Sequence, residues 1–414
     1  MKQLLWIAVI LLSIPFSCKN RELNVKHSDT IDIEKGLNNL ARLKISDFGE
    51  TIRYIPLETT DDGLVGRDPI VKVLRNHIVI EAQGSCLLFD KTDGRFIASI
   101  GHFGQDPAAY TGSFSWTDKE EDFLYFSRQP NQLVKYDMKG NFNGKIEFPS
   151  SSGLASSYLL TDSEVIGYFG GTIQSSNPFI LGIFDGEGNL RDTFPPFFPQ
   201  SQGVTPDEIA GINVERRRDL YGSLSRFGII TINLKNDTRK IITPNAARIW
   251  RSNGNIRFKE EFVDTIYTVS DSKLIPHIVF NTGKFHWSIQ DATDKKSANE
   301  RIYISDVFEN NHFVFFQCIR GMYSANHILY NGLYYKKTGE TKLGKYSDNI
   351  EDDLTRFMPF IPMGMSTAGE FVSLVEVWEV MEWLEKHPEA MNNEKLSFLK
   401  KLDEDMNPII ILVE

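Results

Sequence analysis

The chain has 414 residues, of which 41% are hydrophobic, 12% aromatic and 24% charged, and its formal net charge is −10. This composition is typical of a folded globular protein and excludes an intrinsically disordered chain, which would combine few apolar residues with a high net charge. Such an acidic chain has no overall basic field to hold a phosphate backbone, so we expect no nucleic-acid partner.

Residues 1–17 have the pattern of an export signal. In "MKQLLWIAVILLSIPFSCKN", Lys2 supplies a positive start, and residues 4–12 form an apolar run too short to cross a membrane as a mature helix. The run ends at Ser17-Cys18, which resembles the lipobox of bacterial lipoproteins, where the cysteine is lipidated and becomes the new N-terminus. Because Pro15 and Phe16 depart from the usual lipobox, an ordinary cleaved signal peptide with an incidental Cys18 remains the alternative.

Residues 18–47 are predicted to be a flexible tether, because the segment "KNRELNVKHSDTIDIEKG" is polar and charged. The folded part is then predicted to cover residues 48–414. Beyond the signal only Cys86 and Cys318 remain, both in strand-like stretches. Two cysteines in so long an exported chain make no disulfide framework, so we expect buried, unpaired thiols.

A hairpin pattern recurs along the chain at nearly constant intervals. Phe89-Asp90, Tyr136-Asp137 and Phe184-Asp185 stand 47 and 48 residues apart, and each pair is followed by a short variable segment and a glycine. The Asp can bond to the turn backbone, and the glycine supplies the positive φ that a tight hairpin requires. Repeats of this length that are built from short strands are typical of a β-propeller, in which each repeat is one blade.

Weaker copies of the hairpin begin near residues 231, 266 and 333, which brings the number of copies to six. The pattern therefore predicts an all-β fold, a six-bladed β-propeller. Isolated strands at residues 50–59 and 407–414 are expected to pair and close the ring, which leaves no free sheet edge. Apolar residues at helical spacing predict a small helical hairpin insertion at about 377–404, packed on the ring.

Three stretches resemble a known family. "YIPLETTDDGLVG", "FDKTDGRFIASIGHFGQDPAAY" and the final "DEDMNPIIILVE" are similar to segments of the six-bladed β-propeller lipoproteins of Gram-negative gut anaerobes, a large family mostly without assigned function. The resemblance implies export, an N-terminal lipid anchor on the outer membrane or cell surface, and a propeller. It transfers no catalytic residue.

The densest basic cluster lies in "VERRRDLYGSLSRF". It contains Arg216, Arg217 and Arg218, with Arg226 close by, and it falls where the repeat fades, which indicates a loop insertion. Arginine forks bind carboxylate and sulfate groups in a bidentate manner, so this loop is a candidate site for an acidic glycan. The alternative is a solvated loop whose arginines pair with the neighbouring acidic residues.

Tryptophans are the second group of candidate ligand-binding residues. Trp250, with Arg251 beside it, is the strongest, because an indole ring can stack on a sugar and the arginine can bond to it. Trp116 and Trp287 are weaker candidates. For all three, filling the space between blades is the alternative.

No recognisable catalytic or metal-binding signature is present: the sequence has no HExxH, no GxxxxGK[ST], no GxSxG and no CxxC. We therefore expect no catalytic residues, no metal and no cofactor. The leading hypothesis is a non-enzymatic binding or scaffolding module, for an acidic glycan or a neighbouring surface protein. A funnel-site hydrolase or lyase, Ca²⁺-dependent in some propellers, and a purely structural ring are the alternatives.

Overall fold

The computed structural model describes residues 29–112, 114–170, 178–197, 206–216, 228–237, 239–242, 249–270, 272–288, 300–321 and 326–414. The described chain begins with β1 (Asp29–Asp32), α1 (Ile33–Leu37), a 3-10 turn (Ile45–Asp47) and β2 (Ile52–Pro56).

Three four-stranded antiparallel sheets follow in chain order. Blade 1 contains β3 (Ile70–Val73), β4 (His77–Ala82), β5 (Ser85–Asp90) and β6 (Phe96–Ser99). Blade 2 contains β7 (Ser115–Thr117), β8 (Phe123–Arg128), β9 (Gln132–Asp137) and β10 (Phe142–Glu147). Blade 3 contains β11 (Ser157–Leu160), β12 (Glu164–Tyr168), β13 (Leu181–Asp185) and β14 (Leu190–Phe194).

A three-stranded sheet then separates blade 3 from blade 4 in the sequence. It contains β15 (Ile209–Arg216), β16 (Gly228–Leu234) and β17 (Arg239–Ile242), and we call it the accessory sheet. Blade 4 contains β18 (Ile249–Ser252), β19 (Asn255–Phe258), β20 (Thr265–Ser270) and β21 (Lys273–Asn281). Blade 5 contains β22 (Ile302–Glu309), β23 (Phe313–Arg320), β24 (Ile328–Tyr335) and β25 (Glu340–Lys345).

Blade 6 combines both ends of the propeller, as the sequence predicted. It contains β26 (Gly364–Met365), β27 (Phe371–Val375), β28 (Ile409–Val413) and, as the outermost strand, β2. The antiparallel register of β2 and β28 places Arg53 opposite Leu412 and Ile55 opposite Ile410. Because β2 comes from the start of the fold and the other three strands from its end, this sheet closes the ring.

The apolar core is divided into six clusters, one at each contact between neighbouring blades. Successive strand residues point to opposite faces, so a single strand contributes to two of these clusters. In β4, Ile78 and Ile80 pack toward blade 6, whereas Val79 packs toward blade 2. Both faces of a blade are therefore buried, which explains why the strands read as continuous apolar runs.

The fourth predicted blade hairpin, near residue 231, does not belong to a blade. It forms β16 and β17 of the accessory sheet, while β11 of blade 3 lies directly beside β18 of blade 4. One apolar cluster joins those two blades, with Leu159 and Ile166 on one side and Ile249 and Phe258 on the other. The predicted count of six is confirmed, but the sixth blade is the closing sheet and not the hairpin near 231.

The predicted tether, residues 18–47, differs from the structure over its second half. From Asp29 onward the chain is packed on the propeller: β1 adds to blade 4 as a fifth strand, parallel to β21. Ile31 and Ile33 are completely buried in the cluster between blades 4 and 5. These isoleucines alternate with acidic residues, and the polar composition of the segment hides this strand pattern. Residues 18–28 lie outside the described part of the chain.

The helical insertion follows β27. Its first helix, α2 (Val377–Lys386), begins where predicted, and two 3-10 segments (Pro388–Asn392 and Glu394–Lys401) replace the predicted second α-helix. Asn393 caps the second segment, since its side chain accepts a hydrogen bond from Lys395 N. Val380, Leu396 and Leu399 are buried between blades 5 and 6, so the apolar face of the insertion packs on the ring, as predicted. Cys86 and Cys318 are buried and unpaired, also as predicted.

Candidate functional site

A cavity of about 1000 Å³ lies at the centre of the ring. Its wall contains residues of the innermost strand of every blade, namely β3, β7, β11, β18, β22 and β26. It continues to the turns that follow five of these strands, where Arg75, Lys119, Asn253, His312 and Thr367 lie. This volume is at the upper end of the range for ligand pockets, so the propeller has room for a ligand that contains several covalent rings.

Three consecutive residues of β18 carry buried polar atoms that have no hydrogen-bond partner. These atoms are Trp250 Nε1, Arg251 Nη2 and Ser252 Oγ, and all three residues line the cavity. Ser252 itself is only 6% exposed. More than nine in ten buried polar groups in proteins are satisfied, so three unsatisfied groups in a row on one cavity wall call for an explanation.

Arg251 is surrounded by carboxylates without forming an ion pair with any of them. Burial lowers the pKa of its guanidinium, and the charges of Asp118, Asp162 and Glu121 act in the opposite direction. These carboxylates come from blades 2 and 3, across the cavity from β18. The surrounding carboxylates therefore favour the charged guanidinium, whose Nη2 is buried and has no hydrogen-bond partner.

Hydrogen bonds between the turns hold the rim of the cavity together. Glu121 Oε2 accepts a hydrogen bond from Arg75 N at 2.6 Å, which joins the turns of blades 1 and 2. Lys119 Nζ lies 2.7 Å from Asp162 Oδ2, which joins blades 2 and 3. On the other side, Asn310 Nδ2 donates to Gly369 O at 3.0 Å between blades 5 and 6. Such links between neighbouring blades make the rim a preorganised surface.

A buried charge cluster forms part of the wall between blades 4 and 5. Glu309, whose side chain is completely buried, lies 2.8 Å from His277 Nε2, 2.7 Å from Lys336 Nζ and 3.4 Å from Arg257 Nε. Burial by itself would raise the pKa of Glu309, but the hydrogen bond to His277 and the charges of Lys336 and Arg257 lower it to about 2. The carboxylate is thus ionised and engaged, which suits a structural role.

The predicted site residues do not come together in one place. Trp250 and Arg251 line the cavity. Arg216 ends β15 of the accessory sheet, which is separate from the six blades, and its side chain lies outside the described residues. Arg217, Arg218 and Arg226, and the lipidation candidate Cys18, also lie outside the described part of the chain.

The other two tryptophans have different surroundings. Trp116 lines the cavity and packs edge-on against Tyr158, with ring centroids 5.0 Å apart. Trp287 is 1% exposed and stacks on Phe262, so it fills the interior, which was the alternative for this residue.

Sequence reasoning missed Ser252 and the Glu309 cluster. Ser252 follows Arg251 in the quoted "IWRSNGN", and its position next to a turn after an inner strand was the available signal. The members of the Glu309 cluster come from two blades and share no spacing that could have joined them.

The described residues contain no group of three or more His, Cys, Asp and Glu side chains that could hold a metal ion. Among the described helices, none is long and apolar enough to cross a membrane.

Three solved structures illustrate what this chain is similar to. A protein of Bacteroides fragilis NCTC 9343 that is named as an exported protein has 17% identity and a TM-score of 0.64, and the match covers 93% of this chain and 99% of that one. The WD40 repeats of RRP9 give 10% identity and a TM-score of 0.40 over 90% and 99% of the two chains. BamB from Moraxella catarrhalis has 12% identity and a TM-score of 0.29, and the match covers 70% of this chain and 75% of that one.

The first of these likenesses supports the propeller fold, whereas the other two have TM-scores too low to support an inference. No curated protein sequence matches the chain. The model of the family described as "Domain of unknown function (DUF4934)" matches residues 28–414, and the chain therefore belongs to this family.

Proposed function

We propose that the protein is exported, is anchored to the outer membrane through a lipid on Cys18, and acts as a non-enzymatic binding or scaffolding module. Its partner is a glycan or a neighbouring surface protein, and the central cavity favours the glycan. The export signal in residues 1–17 and the name of the Bacteroides fragilis protein with the same fold support export.

One observation carries the binding role: the cavity of about 1000 Å³ at the centre of the ring, which the innermost strands of all six blades line. Ligand pockets are concave, have volumes of about 300–1,000 Å³, and combine apolar and aromatic walls with a few polar groups. This cavity has the volume and the mixed wall of such a pocket.

The cavity wall combines flat aromatic rings with hydrogen-bonding groups. Trp116 and Trp250 lie on β7 and β18, and Asn253, Asn311 and Thr367 add amide and hydroxyl groups at the rim. A sugar presents an apolar ring face and several hydroxyl groups, and this wall offers a counterpart for both. An acidic glycan would find a further contact at the arginine cluster Arg216, Arg217, Arg218 and Arg226.

A thermal-shift screen of the chain from residue 19 to 414 tests this function. Neutral, uronate-rich and sulfated oligosaccharides are added separately, with and without Ca²⁺. A ligand at about one hundred times its Kd stabilises the folded state by about 2.7 kcal/mol, which raises Tm by several degrees. We expect at least one glycan class to raise Tm.

The variant Trp250→Ala should abolish the shift, whereas Trp378→Ala should preserve it, because Trp378 is 45% exposed on α2 and does not line the cavity. Absence of a shift with every glycan would overturn the glycan as ligand and leave a protein partner. Release of shorter products from a bound glycan would favour a hydrolase or lyase over a binding module.

A further inference from the structure

The central cavity is long in the direction of the propeller axis. Residues 70–75, 249–254 and 364–369 each line it without interruption. Each of these runs starts at the first residue of an innermost strand, β3, β18 or β26, and continues into the turn that follows. A four-residue strand such as β3 or β18 covers about 10 Å, and the turn adds to it, so the cavity is about 15 Å deep.

Across the axis the same cavity is narrow. Its volume of about 1000 Å³ divided by this depth gives a mean cross-section of about 70 Å², which is that of a circle about 9 Å wide. A single row of pyranose rings with their hydroxyl groups fits a channel of this width. Two chains side by side, or a chain with a branch inside the channel, would collide with the wall.

Exposed side chains line the cavity at both of its ends. The turns after the innermost strands lie together at one end, as the hydrogen bonds between neighbouring turns show, and Asn253, Asn311 and His312 are exposed there. The first residues of the strands lie at the opposite end, where Phe114, directly before β7, is 42% exposed. Within the described part of the chain, Phe114 is the only exposed large hydrophobic residue that lines the cavity.

The two ends offer different contacts to a chain of sugars. The ring of Phe114 can stack on the apolar face of one sugar. Trp116 lines the cavity two residues later, and alternate residues of a strand share a face, so it extends the aromatic surface of Phe114 inward. At the other end, the exposed amides of Asn253 and Asn311 can both donate hydrogen bonds to sugar hydroxyl groups and accept them.

We infer that the propeller binds a linear, unbranched oligosaccharide that threads through the cavity along its axis. This inference rests on the proposed function and specifies the ligand class and its orientation at the same site. The ligand contacts Phe114 at one face of the propeller and the exposed turns at the other. Since the channel is walled by all six blades, the chain enters it by one of its ends.

Isothermal titration of the chain from residue 19 to 414 with oligosaccharides of increasing length tests the depth of the site. The probes are linear oligomers of glucose, mannose, galactose and xylose with two to six residues. A tetrasaccharide is about as long as the cavity is deep. We therefore expect the Kd to fall about tenfold or more from the disaccharide to the tetrasaccharide and to change less than about twofold beyond it. A branch on an internal residue should raise the Kd about tenfold or more, because the wall is closely packed.

Bulky groups on the ends of the ligand test the threading. A hexasaccharide of the class that binds is compared without caps, with a cap on either end, and with caps on both ends, each cap being much wider than the cavity. Both singly capped forms should bind with a Kd within about twofold of the uncapped one, since the free end can enter from either face. The doubly capped form should show no binding, because neither of its ends can enter.

Variants at the two ends of the cavity locate the site. Phe114→Ala removes the stacking surface and should raise the Kd about three- to tenfold. Ala368→Trp places a large ring at an exposed turn that lines the other end and should block binding. Phe142→Ala is the matched control, because Phe142 is 45% exposed on β10 of the same blade as β7 and does not line the cavity. The Tm of each variant is measured first, to show that it is folded.

The outcomes separate this inference from the proposed function. A Kd that does not depend on ligand length, or tight binding of the doubly capped hexasaccharide, would overturn the threading and keep the glycan-binding module. Binding that neither Phe114→Ala nor Ala368→Trp weakens would overturn the cavity as the site. Absence of binding to every saccharide would overturn both proposals.

Discussion

At the scale of single residues, the repeated hairpin glycine has two functions. Gly94, Gly140 and Gly188 have φ values of +78°, +84° and +92°, which side chains rarely adopt. Each also touches the preceding blade: a Cβ on these residues would lie 2.2, 2.5 and 2.1 Å from the carbonyl oxygens of Pro56, Ser99 and Glu147. Those carbonyls belong to the last residues of the outermost strands β2, β6 and β10. The repeated turn is therefore also the contact that joins one blade to the next.

This close approach predicts that Gly140→Ala destabilises the fold strongly. A side chain at positive φ costs about 1–2 kcal/mol, and the contact with Ser99 O must also widen, so we expect a loss of about 2–4 kcal/mol. Gly339→Ala is the control, since Gly339 has φ +72° but no atom within 4 Å of the added Cβ. Thermal unfolding should show the larger drop in Tm for Gly140→Ala. Equal drops would contradict the role of the contact between blades.

Glu309 makes the stability of the fold depend on pH. Its pKa falls from 4.5 to about 2 on folding, so the ionised form stabilises the native state by about 3 kcal/mol above pH 4.5. This contribution is lost as the pH falls from about 4.5 toward 2. Glu309→Gln leaves Lys336 and Arg257 without their counter-charge and should cost about 3–5 kcal/mol at pH 7.

Urea unfolding of the native protein and of Glu309→Gln at pH 7 and pH 3 checks this prediction. The difference in unfolding free energy should shrink by about 2 kcal/mol at pH 3, because the carboxyl of the unfolded chain, with its pKa of 4.5, is then protonated while most of the native carboxylate is still ionised. Glu147→Gln, on an exposed outer strand, serves as the control and should change little at either pH. A difference for Glu309→Gln that stays constant with pH would show that its charge does not stabilise the fold.

At the scale of elements, the closure of the ring depends on more than the pairing of β2 with β28. Asn407, two residues before β28, is 2% exposed. Its side chain donates to Glu58 O and Gly63 O at 2.7 Å each and accepts from Val65 N at 2.9 Å. These three bonds fasten the segment that leads from blade 6 to blade 1 onto the C-terminal end of the chain.

Asn407→Ala should therefore weaken the closure. It leaves two carbonyls and one N–H of that segment without a partner, which should cost about 2–4 kcal/mol. Asn141→Ala removes an exposed side-chain bond to Asp137 and is expected to cost less than about 1 kcal/mol. Thermal unfolding together with limited proteolysis of residues 57–69 measures the effect. Proteolysis of this segment at the native rate in Asn407→Ala would contradict the prediction.

The elements also show how far prediction from sequence reaches. The hairpins of blades 1 to 5, the closing strands and the start of α2 follow from alternation, turn residues and helical spacing, all of which are local. The accessory sheet was assigned to a blade because its hairpin has the same local pattern. The packing of Ile31 and Ile33 was missed because it depends on blades 4 and 5, which lie more than 200 residues away in the sequence.

At the scale of the whole molecule, the six clusters between blades form a rigid ring with a cavity at its centre. Attachment to a membrane through Cys18 would hold this ring at the cell surface. β1 starts at Asp29, so about ten residues separate it from Cys18, and ten residues span at most about 36 Å. Lipidation would therefore hold the propeller close to the bilayer.

Cys18→Ala should move the protein from the membrane fraction to the soluble fraction of its native host, because the lipid anchor is lost. Cys86→Ala is the matched control: this cysteine is buried between blades 1 and 2, so its loss should leave the protein on the membrane. Immunoblots of the two fractions give the measurement. Unchanged membrane association of Cys18→Ala would contradict lipidation.

By itself, the sequence determined the all-β class, the repeat of the blade and the closure of the ring by both chain ends. These properties follow from the alternation of apolar residues and from turn chemistry, which act over a few neighbouring residues. The tertiary structure alone decided which hairpin is a blade, where residues 29–37 pack, and which side chains meet in the cavity. Arg251 lies in the field of Asp118, 133 residues earlier in the chain, and only closure of the ring brings the two together.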